Sequence, residues 1–446
     1  MQRRKFLHRG SGLLLAAQPF FAWADDDKSK KRRKERDHDD DDDHNTAPKP
    51  NPPSNGPAKS RVIVIGGGMA GATVAKYLRL WGDAVEVVLI ERRPSYTSNI
   101  MSSLVLTGQR SLASLNYGYD NLLNAYGVQV LNDDVTDIDP VGVRVQLASG
   151  TQLTADRIVL APGIDFDPVP GLGTSDRMPH AWAAGPQTSL LARQLADMPD
   201  NGVVVLTIPK TPYRCPPGPY ERACLLADWM KQRKPRSKLV VLDANMDIVT
   251  EKDNFTNAFL GLHGGMIEYH NNAEVTEVDP STMSLVTAAG TFRNASVVNM
   301  IPRQRAGALV ARTGLANATE GRFAAVNVLN YASTLAPHVH IIGDASATTQ
   351  PKAGHIANQE AKVCADAIIR SLAGLAPDPA PVTNSACYST ITMRSASWLT
   401  AVFQYDPVSS TMQAVPASSA ASAGWNGDNF EEMAIWFKAL MADSFA

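Results

Sequence analysis

Short apolar runs alternate with segments of helical periodicity along most of the chain from residue 61 onward. The runs at 61–65, 85–90, 157–160, 203–206, 239–242 and 338–342 are typical of buried strands. Helical spacing of apolar positions predicts helices at about 69–80, 219–231 and 354–373. Alternation of buried strands with helices predicts an α/β fold with parallel sheets.

The first predicted strand leads directly into the glycine-rich segment 66–71, which opens a helix, and the next strand is followed at once by Glu91. A GxGxxG pattern alone is compatible with an ordinary tight turn. Here the strand, the helix and an acid about 25 positions past the first glycine are all present, so the unit predicts a dinucleotide site.

Two later segments narrow the ligand to FAD. One strand ends in Ala161-Pro162-Gly163, and another ends in Gly343-Asp344, where a carboxylate can accept hydrogen bonds from ribityl hydroxyls. The helix expected from Gly354 would direct its positive dipole end at the flavin and stabilise negative charge on the reduced ring.

The chain has 446 residues, of which 44% are hydrophobic and 19% charged, and its formal net charge is −2. This length predicts two or three domains. The near-neutral balance gives no indication of nucleic-acid binding.

The N-terminus has the composition of an export signal. Arg3-Arg4-Lys5-Phe6-Leu7 precedes the apolar residues 10–21, and Ala22-Trp-Ala24 offers a cleavage site. The arginine pair predicts a twin-arginine signal over residues 1–24 and a periplasmic protein, with an ordinary secretory signal as the alternative. No later run is long and apolar enough to span a bilayer.

Residues 25–60 form blocks of like charge followed by a proline-rich stretch, which predicts a disordered linker. His38 and His44 beside aspartates could bind a metal, but a solvated tether is the favoured interpretation. No metal site is predicted.

The most informative segment is 209–221, which follows the strand at 203–206. In a flavoprotein with two nucleotide-binding domains, this turn would bind the NADH pyrophosphate through free N–H groups and glycines. Five prolines remove donors between Pro209 and Pro219, only Gly218 remains, and Cys215 occupies the turn. The replacement suggests that electrons enter through sulfur instead of nicotinamide.

The four cysteines are Cys215, Cys224, Cys364 and Cys387, and there is no C-x-x-C-H haem attachment motif. Arg214, Arg222 and a helix N-terminus beside Cys215 predict a reactive thiolate. Glu221 is a candidate proton shuttle or an ordinary helix-capping carboxylate. Cys224 and Cys364 lie within predicted helices and are expected in the core.

The chain from Arg61 to Ala446 resembles the flavoprotein subunit of flavocytochrome c sulfide dehydrogenase, on segments spread over this whole range. The most specific are Pro179-His-Ala-Trp182 with Ala184-Gly185, the stretch Tyr213–Arg222, 301–307, Gly343-Asp-Ala-Ser346, Pro351-Lys-x-Gly354 and Cys387-Tyr-Ser389.

The resemblance implies that Cys215 and Cys387 form a redox-active disulfide beside FAD. Hydrosulfide would attack one sulfur, giving a persulfide and freeing the other as a thiolate, and two electrons would pass to FAD. A c-type cytochrome subunit would then accept them singly, and the missing haem motif fits a haem carried by that partner. The residues alone leave open whether such a disulfide is a redox centre or a structural staple.

The resulting site prediction has two parts. Cys215, Cys387 and Glu221 are the predicted catalytic residues. The predicted FAD-binding residues are Gly66, Gly68, Met69, Ala70, Gly71, Glu91, Arg92, Asn99, Val135, Ala161, Pro162, Gly163, Gly343, Asp344, Lys352 and Gly354.

The chain departs from the family pattern in one respect. Some members bind FAD covalently through a cysteine at the position that is Asn99 here, within Tyr96-Thr-Ser-Asn99-Ile100. FAD is therefore expected to be bound non-covalently.

The predicted fold is α/β, with two dinucleotide-binding-type domains of the glutathione-reductase kind and a C-terminal interface domain. The FAD-binding domain comprises 61–197 and 297–378, and 198–296 form a second nucleotide-binding-like domain that lacks an NADH loop. Residues 379–446 form the C-terminal domain, with short β-like pieces and an aromatic helix from 430 to 437.

Three alternatives to a cytochrome-linked sulfide dehydrogenase are considered. A sulfide:quinone oxidoreductase would need an apolar membrane-binding surface, which aromatic and apolar residues of the tail could supply, although packing in a core or against a partner is favoured for them. An electron-transfer or sulfur-carrier subunit would bind FAD without turning over sulfide, and its disulfide would be only a staple. An NADH-dependent disulfide reductase is disfavoured by the prolines of the sulfur turn.

Overall fold

The computed structural model of the chain describes residues 59–446. The predicted signal peptide, nearly all of the predicted linker, and His38 and His44 lie outside the described residues. At the linker boundary, regular structure begins at Ser60, which already belongs to the first strand.

The described residues form nine α-helices. They are α1 (Met69–Trp81), α2 (Ser103–Leu106), α3 (Asp120–Asn124), α4 (Pro186–Asp197), α5 (Gly218–Arg233), α6 (Lys252–Thr256), α7 (Ala308–Arg312), α8 (Gly354–Leu372) and α9 (Gly427–Phe445). Of these, α1 and α5 are buried around most of their circumference. A π-helical turn, Asn257–Leu262, follows α6 directly.

The strands follow the predicted apolar runs closely. They are β1 (Ser60–Ile65), β2 (Val85–Ile90), β3 (Ser95–Thr97), β4 (Asn116–Gly118), β5 (Gln129–Leu131), β6 (Val135–Asp139), β7 (Arg144–Leu147), β8 (Gln152–Thr154), β9 (Arg157–Leu160), β10 (Ile164–Phe166), β11 (Val203–Ile208), β12 (Lys238–Asp243), β13 (Ile267–His270), β14 (Val275–Asp279), β15 (Ser284–Thr287), β16 (Gly290–Phe292), β17 (Val297–Asn299), β18 (Gln304–Ala306), β19 (Ala324–Asn327), β20 (Ala332–Ser333), β21 (Val339–Ile341), β22 (Ser346–Ala347), β23 (Val382–Thr392), β24 (Ser395–Asp406), β25 (Thr411–Ala414) and β26 (Ala420–Ala421).

The largest sheet has the order β22-β19-β20-β21-β9-β1-β2-β5. Its centre, β21-β9-β1-β2-β5, is parallel throughout, with Ile65 opposite Ile90 and Leu160. The central strands are buried on both faces, as continuous Val/Ile/Leu runs require. α1, α8 and α9 share one hydrophobic core with this sheet.

A second sheet of order β13-β12-β11-β17 is also parallel. β11 and β12 are joined through α5, so this unit repeats the strand-turn-helix-strand plan of the first. The architecture matches the predicted α/β class with two dinucleotide-binding-type units.

The C-terminal segment differs from the prediction of short β pieces. β23 and β24 form a long antiparallel hairpin of 11 and 12 residues, flanked by β25 and β26. Its small polar residues, such as Ser389 and Ser397, are buried against other elements instead of marking loops. The aromatic helix extends over Gly427–Phe445.

Within residues 59–446, none of the helices combines the length and the apolar character needed to cross a lipid bilayer. The same residues contain no group of three or more His, Cys, Asp or Glu side chains placed to hold a metal ion.

Candidate active site

A cavity of about 940 Å³ lies at the carboxyl ends of the central strands of the large sheet. Residues that follow β1, β9 and β21 line one side of it. Ligands of open α/β sheets bind outside the carboxyl ends of the strands. The turn before α5, the strand β23 and the helix α9 complete the lining with Cys215, Cys387 and Trp436.

The glycine-rich turn has the geometry that a dinucleotide needs. Gly66 adopts a φ of +100°, and the N–H of Gly67 donates to Glu91 Oε2 at 2.8 Å. A Cβ on Gly71 would lie 1.7 Å from the carbonyl oxygen of Gly66. Gly71 therefore allows α1 to pack tightly against the turn, and the N-terminus of α1 faces the cavity.

Most of the predicted FAD-binding residues line this cavity. Those that do are Gly66, Gly68, Met69, Ala70, Glu91, Arg92, Asn99, Val135, Ala161, Pro162, Gly163, Gly343, Asp344 and Gly354. Gly71 does not line the cavity, because it packs against the Gly66 carbonyl. Lys352 also lies outside the lining, since its ammonium donates to the Ser346 carbonyl at 2.6 Å and sits over the Phe323 ring.

Asp344 provides a test of whether the cavity suits a flavin nucleotide. Its Oδ1 is buried and has no hydrogen-bond partner among the described residues. Burial raises the pKa of Asp344, and the charges of Arg214 and Lys352 oppose this. A buried acceptor without a donor costs about 1–3 kcal/mol. Ribityl hydroxyls are donors of the required kind, so this carboxylate fits the FAD assignment.

Cys215 is held in a strained backbone conformation at the cavity wall. Its φ is +58°, which is unfavourable for a residue other than glycine. The Cys215 N–H donates to the Lys352 carbonyl at 2.6 Å, and its carbonyl accepts the N–H of Gly218 at 2.9 Å. A Cβ on Gly218 would lie 2.9 Å from Cys215 Sγ. The remaining glycine of the turn therefore makes room for sulfur.

Cys387 reaches the same cavity from β23. In the structure Cys215 and Cys387 are both free thiols. A negative charge on Cys387 would raise the pKa of Cys215. Cys224 and Cys364 are fully buried in α5 and α8, where the sequence predicted core residues.

The prediction that Cys215 is a ready thiolate is wrong. Burial raises its pKa well above the ordinary thiol value, and the charges of Cys387 and Glu221 raise it further. Arg214 and the Gly218 N–H oppose these effects only in part. Burial likewise raises the pKa of Cys387 to about 12. Thiolate at either position therefore has to be produced by reaction.

Glu221 lines the cavity from the first turn of α5. Its Oε1 accepts a hydrogen bond from Thr390 Oγ1 at 3.0 Å and caps no backbone N–H of α5, so the capping alternative is wrong. Burial raises the pKa of Glu221 to about 7, against the opposing Thr390 hydrogen bond and the charge of Arg222. A carboxyl group that titrates near neutrality suits proton transfer.

The sequence predicts that Arg222 stabilises a negative charge on Cys215. In the structure its guanidinium instead forms hydrogen bonds mainly with other groups. It is 1% exposed, donates to Ser103, Asn299 and the Ala181 carbonyl, and lies 4.7 Å from the Trp182 ring. It therefore ties α5 to neighbouring segments of the cavity wall.

Replacing Arg222 by methionine is expected to destabilise the protein by about 3 kcal/mol, because several buried acceptors lose their donor. Urea unfolding of the FAD-loaded protein measures this. Arg233→Met, at an exposed position of the same helix, should change stability by no more than about 0.5 kcal/mol. Equal midpoints for the two variants would contradict the role given to Arg222.

The second unit has an acid at the end of its second strand, β12. An NADH-binding domain has its ribose-binding carboxylate at this position. This residue, Asp243, is fully buried and accepts hydrogen bonds from Tyr220 at 2.7 Å and Tyr269 at 2.8 Å. Asn245 donates to its other oxygen. The acid is therefore internally satisfied and covered by tyrosines.

Two tryptophans of the cavity were not predicted as site residues. Trp182 and Trp436 line the cavity, as does Arg214, which the sequence placed beside Cys215, and both tryptophan Nε1 atoms are buried without a partner among the described residues. Trp182 belongs to a segment that carried the family resemblance, which was the available signal. Trp436 was considered only as part of the apolar tail, in which Phe437, Leu440 and Met441 are buried, as packing predicted.

Two sequence profiles of one protein family match this chain. The profile of the sulfide dehydrogenase (flavocytochrome c) flavoprotein chain, central, matches residues 188–302, and that of the flavocytochrome c sulphide dehydrogenase flavin-binding region matches residues 379–445. The chain belongs to the flavocytochrome c sulfide dehydrogenase flavoprotein family. A pyridine nucleotide-disulphide oxidoreductase profile matches residues 60–204. The family assignment identifies FAD as the cofactor.

Curated relatives match only locally. A probable ferredoxin reductase of Castellaniella defragrans is 34% identical over 109 residues, which are 24% of this chain and 27% of the relative. A sulfide-quinone reductase of Aquifex aeolicus is 28% identical over 102 residues, 23% of this chain and 24% of the relative. The matched region thus spans about a quarter of the length of these relatives.

Solved structures share the fold over most of the chain. The sulfide:quinone oxidoreductase of Aquifex aeolicus superposes with a TM-score of 0.71 at 18% identity, covering 86% of this chain and 91% of that one. Putidaredoxin reductase in complex with putidaredoxin gives a TM-score of 0.60 at 18% identity, covering 78% and 87%. The family and these folds confirm the predicted fold class.

Proposed function

We propose that this protein is a periplasmic FAD-dependent sulfide dehydrogenase that passes electrons to a c-type cytochrome. The observation that carries the proposal is that Cys215 and Cys387, from distant parts of the sequence, line the cavity formed by the FAD-binding residues. The family assignment supports sulfide as the substrate. The predicted twin-arginine signal supports the location.

In the proposed reaction, Cys215 and Cys387 form a disulfide. Hydrosulfide attacks one sulfur, a new S–S bond forms, the original S–S bond breaks, and the second cysteine leaves as a thiolate. This thiolate would give up its electron pair on bonding to the persulfide sulfur, and FAD, when bound, would supply the two-electron oxidation. Burial raises both thiol pKa values, which disfavours the free thiolate and so favours this second S–S bond. Arg214 stabilises the negative charge at Cys215, and Glu221 accepts the proton that hydrosulfide carries.

FAD, when bound, can accept two electrons together and release them one at a time. It can therefore connect sulfide, which gives two electrons, with a cytochrome haem, which accepts one. Asp344 would hold the ribityl chain, and the glycine turn at the start of α1 would hold the pyrophosphate. Position 99 is Asn99 and not the cysteine through which some family members bind FAD, and this supports non-covalent binding of FAD.

Anaerobic titration of the FAD-loaded protein with sulfide tests the proposal. One equivalent of sulfide is expected to bleach the flavin absorbance, and oxidised cytochrome c should restore it. NADH at the same concentration should leave the absorbance unchanged, because prolines occupy the pyrophosphate turn and Asp243 is covered by tyrosines. Equal bleaching by NADH, or none by sulfide, would contradict the proposal.

A quinone acceptor is the alternative, favoured by the fold shared with the Aquifex aeolicus sulfide:quinone oxidoreductase. Among the apolar tail residues that could form a membrane surface, Phe437, Leu440 and Met441 are buried in the core. The others, Trp425, Phe430 and Trp436, are partly buried and pack against the hydrophobic core clusters. Reoxidation rates with cytochrome c and with a short-chain quinone, measured side by side, separate the two acceptors.

A further inference from the structure

Glu360, in the second turn of α8, is a carboxylate that the fold buries completely. It is 1% exposed, and no sequence motif singles it out. Burying a carboxylate is costly unless hydrogen bonds or an opposite charge satisfy it. Glu360 forms no ion pair within residues 59–446, so hydrogen bonds have to satisfy it.

The hydrogen-bond partners of Glu360 all lie in the segment that follows β21. Its Oε2 accepts the N–H of Gly343 at 2.7 Å, and its Oε1 accepts the hydroxyl of Thr348 at 3.3 Å. Ser346 Oγ lies 3.3 Å from the same Oε2 and donates to the Gly343 carbonyl at 2.9 Å. One side chain of α8 therefore holds the segment 343–348 at both of its ends.

Gly343 occupies a narrow space at the start of this segment. Its φ is +69°, and a Cβ at this position would lie 3.1 Å from the Cβ of Ala70 on α1 and 3.5 Å from that of Ala357 on α8. The hydrogen bond to Glu360 fixes the orientation of the Gly343 peptide between these two helices. That orientation determines where the chain places the next residue, Asp344.

Asp344 and Glu360 differ in what they can contact. Asp344 lines the cavity, and its Oδ1 is buried without a partner in the part of the chain that the structure describes. Glu360 does not line the cavity, and its contacts are with the segment that carries Asp344. A ligand-binding side chain needs neighbours that hold it in the productive geometry.

Lys352 holds the same segment from its other side. Its ammonium donates to the Ser346 carbonyl at 2.6 Å, and its own carbonyl accepts the N–H of Cys215 at 2.6 Å. A displacement of residues 343–348 would therefore affect both the carboxylate of Asp344 and the contact that holds the sulfur turn.

We propose that Glu360 is a positioning residue for FAD, which acts through the Gly343 N–H and holds Asp344 in the orientation that accepts the ribityl hydroxyls. Asp344 contacts the cofactor, whereas Glu360 contacts only the protein segment that carries Asp344. The inference rests on FAD as the cofactor and is independent of the proposed sulfide chemistry.

Fluorescence titration of the FAD-free protein with FAD tests the proposal. Glu360→Met removes the acceptor of the Gly343 N–H and should raise the Kd for FAD by about 30-fold. Glu360→Gln should stay within about threefold of the wild type, because its amide oxygen still accepts that N–H and its NH2 group can donate to Thr348 Oγ1. Cys364→Ala, at a buried position of the same helix outside the cavity, is the control and should keep the wild-type Kd.

A double-mutant cycle with Asp344→Ala separates positioning from a general effect on the fold. If Glu360 acts through Asp344, Glu360→Met should raise the Kd by less than about threefold in the Asp344→Ala background. An equal loss of affinity in both backgrounds would overturn the proposal. Wild-type affinity in Glu360→Met alone would overturn it as well.

Amide hydrogen exchange of the FAD-free wild type, followed by NMR, gives a readout that needs no variant. The Gly343 N–H should exchange slowly before FAD is added, because Glu360 already holds it. Rapid exchange at Gly343 would overturn the proposal even if Glu360→Met does not fold. If the Kd values follow the expected pattern but sulfide does not bleach the flavin, the proposed function is refuted and the role of Glu360 stands.

Discussion

Replacing Cys215 or Cys387 by serine is expected to slow sulfide-driven reduction of bound FAD by at least about a thousandfold. Each substitution removes the S–S bond that hydrosulfide would attack, so the reaction loses its first step. Stopped-flow measurement of flavin absorbance under anaerobic conditions gives the rate. The visible spectrum before mixing shows whether the variant still binds FAD.

Cys364→Ala is the matched control, because this thiol is buried in α8 and does not line the cavity. It should keep the wild-type rate. If the pair were only a staple, the serine variants would keep the rate and lose stability, by about 5 kcal/mol for a loop of this length. That outcome would contradict a redox role for the two cysteines.

Gly71→Ala is expected to weaken FAD binding by at least about 100-fold. The added Cβ would lie 1.7 Å from the Gly66 carbonyl oxygen, so α1 would have to move away from the turn that it supports. Flavin content after extensive dialysis, followed by fluorescence titration with added FAD, measures the loss.

Gly118→Ala is the corresponding control in the same unit, since its Cβ would approach Asp120 no closer than 3.8 Å. It should bind FAD like the wild type. Wild-type affinity in Gly71→Ala would show that the helix does not depend on this close approach.

The two nucleotide-binding units could be predicted from sequence because their signals are local. The run at 61–65, the glycine turn and the strand at 85–90 lie within about 30 residues, and the structure has β2 at the predicted positions. The long hairpin β23–β24 was missed, because its buried serines and threonines have the composition of a loop. Their burial depends on α5, α8 and α9, which lie elsewhere in the sequence.

The candidate site was predictable only in part. The cavity-lining glycines follow from the motif, whereas the predicted pairing of Cys215 with Cys387 comes from family resemblance and not from spacing. The thiolate prediction failed because neighbours in sequence reveal charge but not burial.

The tyrosine-covered Asp243 has a consequence for protein engineering. Grafting a glycine-rich loop in place of the prolines would supply amide donors for a diphosphate, yet the adenosine end would still meet Tyr220 and Tyr269 instead of a free carboxylate. A designer who wanted a nicotinamide-driven version would have to rebuild both regions together.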